Sequence, residues 1–255
     1  MFQKFLGCRK SDLTKPHLLL KTYLTPAMPT PPSSVKYRAS VKRWPMMLND
    51  QIGCCAIACP GHMIEQWTSC NGKPVVPSDA QILSAYEAVG GYKPDDPKNP
   101  QTNATDVGCD PMSVLAYWQN TGIAGHKIGG SARVDTTNAN EVKLAIYLFG
   151  NLYLGMDLPL SAQGQGTTWI VDTSNPDADA AGSWGGHAVP AVGYDQTDLV
   201  PFITWGATYL MSFAFLAQYC MEAWAVFSTD WLNGKGVCPA GFNKAQLLTD
   251  LANLK

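Results

Sequence analysis

Charged side chains are scarce in this chain: Asp, Glu, Lys and Arg together make up 15% of the 255 residues, whereas 46% are hydrophobic. That balance is typical of a packed globular protein with few surface charges, and the length suffices for one large domain or two lobes that share a core. The 18 Lys and Arg are scattered apart from a loose N-terminal bias, and the formal net charge is −2. No nucleic-acid partner is expected, because such partners usually select a basic surface.

Two further patterns are missing. The first ten residues are mixed rather than apolar, so no signal region is visible. The eight cysteines include no CxxC pair, which argues against a structural zinc site. We expect no metal or other cofactor, and reduced, mostly buried thiols in an intracellular setting. Four disulfides are the alternative that an even cysteine count allows.

A membrane span is not expected either. The stretch from Leu199 to Met221 carries no charged residue, but it begins near a proline and is interrupted by polar residues and a glycine. A spanning helix needs about twenty predominantly apolar residues. We therefore interpret this stretch as a strand, a turn and a buried helix, with no membrane partner.

The N-terminal 45 residues are proline-rich, which favours an extended arm over a long helix. Two interpretations remain open for this arm of residues 1–45. It is either a partly ordered tail, or a segment that packs across a groove or onto a neighbouring molecule in a homo-oligomer or assembly.

Helical patterns come first and strand patterns later, which predicts an α+β fold with a cleft between two lobes. We expect one domain over residues 46–255, mainly helical over 46–150 and mainly β over 151–255. A buried helix is predicted over residues 55–69, broken or kinked near Pro60-Gly61. The acidic loop that contains Asp95, Asp96 and Asp106 is interpreted as solvated, with a calcium site as the alternative.

Cys55 is the first candidate for chemistry, since it follows the turn at Gly53 and opens the predicted helix. Unpaired N–H groups and the positive end of a helix dipole favour a thiolate at such a position. His62 lies two helical turns further on, roughly 10 Å away, which is too far for it to act as the base.

A second candidate is His187, in a Gly-Gly-His turn that opens an apolar strand. Our central prediction is that Cys55 and His187 meet in the fold, with His187 holding the sulfur as a thiolate. Asn49 could present its side-chain amide to an oxyanion. Thr204, on a later strand, could supply a partner for the far nitrogen of His187.

At these residues the sequence resembles the papain-like cysteine peptidases. Cys55 and His187 are 132 positions apart, within the ~130–150 typical of that family. The family's Gly-His-Ala-Val and Val-Gly-Tyr motifs match residues 186–189 and 192–194. The Asn-Asp-x-x-Gly-x-Cys stretch that ends at Cys55 is similar to a divergent bacterial and phage branch of the family. The resemblance covers roughly residues 42–232 and implies a two-lobed fold with an antiparallel sheet in the second lobe.

Three departures from the family pattern weaken the expected site. The family's orienting Asn maps onto Ile203, and Thr204 beside it should face the other way unless a bulge intervenes. Asn49 is one methylene shorter than the family's Gln, and Ala56 replaces the Trp that follows the nucleophile. Cys54 and Cys55 are adjacent and cannot face the same way, so Cys54 is kept as the alternative nucleophile.

The resemblance implies a cysteine hydrolase that acts on a peptide or protein substrate. A catalytically degenerate papain-fold protein with a structural or interaction role, such as a phage virion component, is the alternative. This alternative is supported by four tryptophans that could form an interaction surface, namely Trp184, Trp205, Trp224 and Trp231. The corresponding location is cytoplasmic or virion-associated. Transglutaminase-like or acyltransferase chemistry would use the same Cys-His pair.

Overall fold

An eight-stranded sheet forms the centre of the computed structural model, which describes residues 4–24, 30–94 and 103–231. The strand order across the sheet is β1-β2-β8-β3-β5-β6-β7-β4. Most neighbouring strands are antiparallel, while β1 with β2 and β4 with β7 are parallel. The strands are β1 (Leu18–Leu19), β2 (Ile128–Arg133), β3 (Leu152–Leu158), β4 (Thr168–Trp169), β5 (Gly185–Ala191), β6 (Leu199–Thr204), β7 (Ala207–Ser212) and β8 (Cys220–Ser228).

Within the described residues, five α-helices pack around this sheet, and their starts follow the sequence signals. Ser78 forms a capping box with Gln81, and Asp110 accepts from the Ser113 N–H ahead of a proline at the first helical position. The helices are α1 (Cys55–Cys70), α2 (Asp79–Gly90), α3 (Pro111–Asn120), α4 (Ala139–Phe149) and α5 (Phe213–Tyr219), with short 3₁₀ turns at Leu20–Tyr23, Tyr37–Ser40 and Leu160–Gly164.

The predicted α+β class with a papain-like arrangement is confirmed. Strands β1 and β2 lie before residue 150, so the sheet also takes strands from the first half of the chain. Residues 199–221 form two strands and helix α5. No helix in the described parts of the chain is long and apolar enough to cross a membrane.

Helix α1 is buried along almost its whole length, from Cys55 to Thr68. Of the break or kink predicted near Pro60-Gly61, the break is wrong, since the helix continues through Pro60. Proline has no N–H to give the carbonyl of Ala56, four residues earlier. The hydroxyl of Tyr153 on β3 donates to that carbonyl instead, at 2.8 Å. A sheet residue thus satisfies the acceptor that the proline leaves free.

Side chains of α1 also donate hydrogen bonds to the C-terminal end of α4. Its last carbonyl groups have no intrahelical donor. Trp67 Nε1 of α1 donates to the Phe149 carbonyl and Gln66 Nε2 to the Gly150 carbonyl, both at 2.8 Å. Trp231 Nε1 donates to Leu148 at 2.7 Å. The two bonds from α1 fix that helix against the end of α4, where the chain leads into β3.

The described part of the N-terminal arm packs against its own chain. Leu18–Leu19 pairs with β2, and Val35 bridges to Tyr194. This is the groove-packing form of the two predicted forms of the arm. Its use in a homo-oligomer stays a prediction.

All seven cysteines within the described ranges are free thiols, and Cys238 lies outside them. Asp95 and Asp96 also lie outside the described residues. Asp106 does not act as a solvated loop residue, because its carboxylate accepts the Gly53 N–H and the Tyr86 hydroxyl. The described residues contain no group of three or more His, Cys, Asp or Glu side chains arranged to hold a metal ion.

We predict that Tyr153→Phe lowers the free energy of unfolding by about 1–3 kcal/mol, because the buried Ala56 carbonyl loses its donor. In a Pro60→Ala background the new N–H can replace the hydroxyl, so the same change should cost less. Urea unfolding of the four chains measures both effects. An equal cost in both backgrounds would contradict the assigned role of Tyr153.

Candidate active site

A tight loop places Cys55 at the first position of α1. Met47 and Leu48 adopt positive φ values of 51° and 64°, an uncommon conformation for residues with a side chain. The Asp106 carboxylate accepts the Gly53 N–H with both oxygens at 3.0 Å. Sequence reasoning missed this role of Asp106, because the loop meets it only in three dimensions.

The sulfur of Cys55 faces the sheet. The Ala188 N–H donates to Sγ at 3.4 Å, so the cysteine lies against the residue that follows His187. Cys54 points elsewhere, and its thiol donates to the Met47 carbonyl at 3.2 Å. Of the two predicted nucleophiles, Cys55 therefore has its sulfur against the strand that carries His187, at Ala188.

His187 is buried and held on two sides. Its Nε2 lies 2.7 Å from the Thr204 hydroxyl, and its ring stacks on Trp205 with centroids 4.5 Å apart and planes 12° from parallel. Nδ1 has no hydrogen-bond partner within the described residues. For Nδ1 to accept a proton, Nε2 must carry the hydrogen and donate it to Thr204.

The turn between β6 and β7 explains why Thr204 can reach this histidine. Thr204 pairs with Ala207, so Trp205 and Gly206 alone make the turn, with positive φ values of 45° and 71°. Positive φ at both central residues is the signature of a type I′ hairpin. The tight turn brings the Thr204 hydroxyl and the Trp205 ring to the same imidazole, whereas Ile203 is buried.

Asn49 directs its amide into the same region. Nδ2 donates to the carbonyl of Phe5 at 3.2 Å and to that of Ile52 at 3.4 Å. The indole Nε1 of Trp205 also donates to the Phe5 carbonyl, at 3.4 Å. Two side-chain donors, one of them on the ring that stacks on His187, thus converge on one main-chain carbonyl oxygen.

Residues 4–11, which we call the cleft segment, lie across the site. The Gly7 and Cys8 N–H groups both donate to the Gly186 carbonyl, at 3.1 and 3.0 Å. On the helical side the Gly7 carbonyl accepts from the Cys109 N–H, and the Arg9 N–H donates to the Cys109 carbonyl, each at 2.9 Å. Composition and pattern did not predict this placement, because the hydrogen bonds of Gly7 are made with residues far along the chain.

Burial under the cleft segment leaves both candidate groups neutral. Loss of solvent raises the pKa of Cys55 to about 12, although N–H groups of Ala188, Gly7 and Ala56 oppose the rise. Burial lowers the pKa of His187 to about 3, with a smaller contribution from the Lys4 charge. At pH 7 the described form holds a thiol and an imidazole rather than an ion pair.

The structure overturns the role predicted for three of the four tryptophans and agrees with the role predicted for His62. Trp205, Trp224 and Trp231 are buried and do not form an interaction surface. His62 is a helix-packing residue, as expected: it is buried, lies 2.9 Å from the Pro45 carbonyl and contacts the Trp44 ring.

No protein-family model and no curated protein matches the sequence. Solved structures match it closely in shape. Xylellain, a cysteine protease from Xylella fastidiosa, has a TM-score of 0.64 at 13% identity over 89% of this chain and 97% of its own. Procathepsin B S9 from Trypanosoma congolense has a TM-score of 0.60 at 12% identity over 88% and 86%.

The Carica candamarcensis cysteine protease CMS1MS2, solved in complex with E-64, has a TM-score of 0.52 at 16% identity over 77% of this chain and 99% of its own. These neighbours are papain-like cysteine proteases. The chain therefore has the papain-like fold that its motifs predicted. Similarity at this level of identity establishes the fold, and the chemistry rests on the residues themselves.

We predict that Cys55 in the full chain reacts with iodoacetamide roughly a thousandfold more slowly at pH 7 than an unperturbed cysteine, because its raised pKa suppresses the thiolate. With the pKa of Cys55 raised to about 12, the rate should still rise about tenfold per pH unit above pH 9, where the rate of an ordinary thiol levels off. Mass spectrometry resolved to single cysteines measures it, with glutathione as the reference thiol. Fast modification of Cys55 below pH 7 would contradict a neutral, covered thiol.

Thr204→Val should lower the free energy of unfolding by about 1–3 kcal/mol, because a buried imidazole nitrogen loses its only partner. Thr204→Ser keeps the hydroxyl and serves as the matched control, expected to lose less. The ¹⁵N shifts of His187 should report a protonated Nε2 in the unchanged chain. Equal stability of the Val and Ser variants would rule out the assigned bond.

Proposed function

We propose that the protein is a papain-like cysteine hydrolase that cleaves a peptide or amide bond with Cys55 as nucleophile and His187 as base. One observation carries the proposal. Two of the candidate groups contact one stretch of main chain: Asn49 donates to the Phe5 carbonyl, and the Gly7 N–H donates toward the Cys55 sulfur. The site is therefore shaped to take an extended peptide beside the thiol.

The reaction begins when Nδ1 of His187 takes the proton of the Cys55 thiol. The thiolate attacks the carbonyl carbon, a C–S bond forms, and the carbonyl electrons move to oxygen. The Asn49 amide and the Cys55 backbone N–H donate to that oxyanion. As the C–N bond breaks, His187 returns its proton to the leaving amine.

Water completes the cycle. His187 removes a proton from water, the new C–O bond forms, and the C–S bond breaks to return Cys55 as a thiolate. Thr204 and Trp205 are positioning residues, since the Thr204 hydroxyl and the Trp205 ring hold the orientation and tautomer of the imidazole. An amine in place of water would give acyl transfer with the same groups.

A non-catalytic, peptide-binding protein is the second candidate. It is favoured by the neutral thiol and imidazole and by a cleft that already holds a peptide segment. Such a protein would serve a structural or interaction role, for example in a phage particle. The two candidates differ in whether the uncovered thiol cleaves a bound peptide.

The deciding assay uses a chain with Gly7→Ala, because a methyl group there overlaps the Gly53 carbonyl and keeps the cleft segment out. We expect this chain to cleave members of a peptide library, with fragments identified by mass spectrometry. Adding Cys55→Ala should reduce cleavage to background, because the nucleophile is removed. Adding Cys54→Ala, the matched neighbouring thiol, should leave cleavage within a few-fold.

Absence of cleavage by a folded Gly7→Ala chain whose Cys55 reacts rapidly with iodoacetamide would overturn the hydrolase proposal. That result would favour the peptide-binding role. Cleavage that depends on Cys54 would instead move the nucleophile to the alternative cysteine.

A further inference from the structure

Three aromatic rings surround the ammonium group of Lys4. Its Nζ lies 4.7 Å from the ring centre of Trp205, 5.6 Å from that of Tyr209 and 5.7 Å from that of Trp184. Each distance is within the ~6 Å at which a cation is attracted by the face of an aromatic ring. We call Trp184, Trp205 and Tyr209 the aromatic cage.

The rings of the aromatic cage are held by the sheet. Trp184 directly precedes β5, Trp205 lies in the turn between β6 and β7, and Tyr209 is in β7. The buried ring of Trp169 on β4 packs edge-on against all three, with centroids 6.3, 6.2 and 5.8 Å away. Edge-to-face packing at such distances is favourable between aromatic rings. The three rings therefore share a packing partner other than Lys4.

The aromatic cage contains no counter-ion for the cation. Among the described residues no carboxylate lies within ion-pair distance of the Lys4 ammonium, whereas Lys10 pairs with Asp157 at 2.9 Å. Burial lowers the pKa of Lys4, and no negative charge in the described structure opposes that shift. The rings are thus the groups that favour a cation at this position.

A cage of rings without a carboxylate favours one class of cation. A primary ammonium is compact and strongly hydrated, so its transfer from water into such a cage is costly. Methyl groups on the nitrogen weaken its hydration and contact the ring faces, and aromatic cages are a recurrent recognition site for quaternary ammonium groups. A neutral alkyl group of the same shape gains the apolar contact alone.

We propose that Trp184, Trp205 and Tyr209 form a recognition site for organic ammonium groups, with methylated ammonium preferred over primary ammonium. Trp205 also stacks on His187, so the site adjoins the candidate base. His187 returns its proton to the leaving amine in the reaction proposed above, which puts the cage on the leaving side of the scissile bond. The substrate is thus a peptide with a lysine or methyl-lysine side chain on that side.

The substrate part of this proposal rests on the hydrolase function proposed above. The binding part depends only on the rings of the aromatic cage and their contacts with the Lys4 ammonium. The two parts are therefore tested separately.

Binding is tested with two probes of nearly the same shape, namely choline and the neutral alcohol in which carbon replaces the choline nitrogen. Lys4→Ala in the full-length chain removes the ammonium that occupies the cage. In an NMR titration this chain should bind choline at least about tenfold more tightly than the alcohol. Tetramethylammonium should likewise bind more tightly than methylammonium. Equal affinity for choline and the alcohol would overturn the cation site.

Lys10→Ala is the matched control for the lost charge. Lys10 lies in the same segment, but its ammonium pairs with Asp157 rather than with the cage. This chain keeps Lys4 in the cage and should bind choline more weakly than Lys4→Ala. Equal affinity of the two chains would contradict the assignment of the Lys4 ammonium to this site.

A ring deletion tests the cage itself. In the Lys4→Ala background, Trp184→Leu should reduce the preference for choline over the alcohol to about twofold or less, because one ring face is lost. Trp44→Leu removes a tryptophan of similar exposure whose ring contacts His62, so the preference should persist. Circular dichroism verifies the fold of each variant. An unchanged preference in folded Trp184→Leu would overturn the cage.

Substrate preference is tested with the Gly7→Ala chain described above. Peptides with lysine or trimethyl-lysine directly after the scissile bond should have a kcat/KM at least about fivefold above that of norleucine peptides. Trp184→Leu should remove this preference. Equal kcat/KM values for the three side chains would overturn the substrate part.

The cation site and the hydrolase fail in different ways. Selective choline binding without cleavage of any peptide would retain the cation site and overturn the hydrolase. Cleavage without an ammonium preference, together with equal binding of choline and the alcohol, would retain the hydrolase and overturn the cation site.

Discussion

The burial of helix α1 is the constraint on which the rest of the structure depends. The helix packs against strands β3 and β5 on one side and helices α2 and α3 on the other. Its Pro60 leaves a carbonyl free for Tyr153, and its Trp67 and Gln66 satisfy the end of α4. A helix fixed in this way sets the position of its first residue, Cys55, against β5.

The site combines close backbone approach with exclusion of water. Glycines at the walls let a peptide main chain lie against Gly53 and Gly186. The same approach removes solvent from Cys55 and His187, so both become neutral. An ion pair between them would need water or substrate in place of the cleft segment, because a desolvated charge pair is costly.

Two residues that depart from the family motif still form hydrogen bonds in the site. Thr204 bonds to His187 although the family's orienting residue maps onto Ile203. The I′ turn at Trp205-Gly206 directly follows Thr204 and places the Trp205 ring on the same imidazole that the Thr204 hydroxyl contacts. Asn49, although shorter than Gln, reaches a carbonyl oxygen because the Met47-Leu48 turn carries it towards the cleft.

The sequence by itself determined the fold class, the starts of the helices and the two motifs around Cys55 and His187. These features depend on local signals, namely capping residues, apolar periodicity and short motifs. Only the tertiary structure decided the continuity of α1 through Pro60, the Asp106 bond to Gly53 and the position of residues 4–11. Each of these depends on contacts between residues far apart in the chain, for which a single sequence carries no local signal.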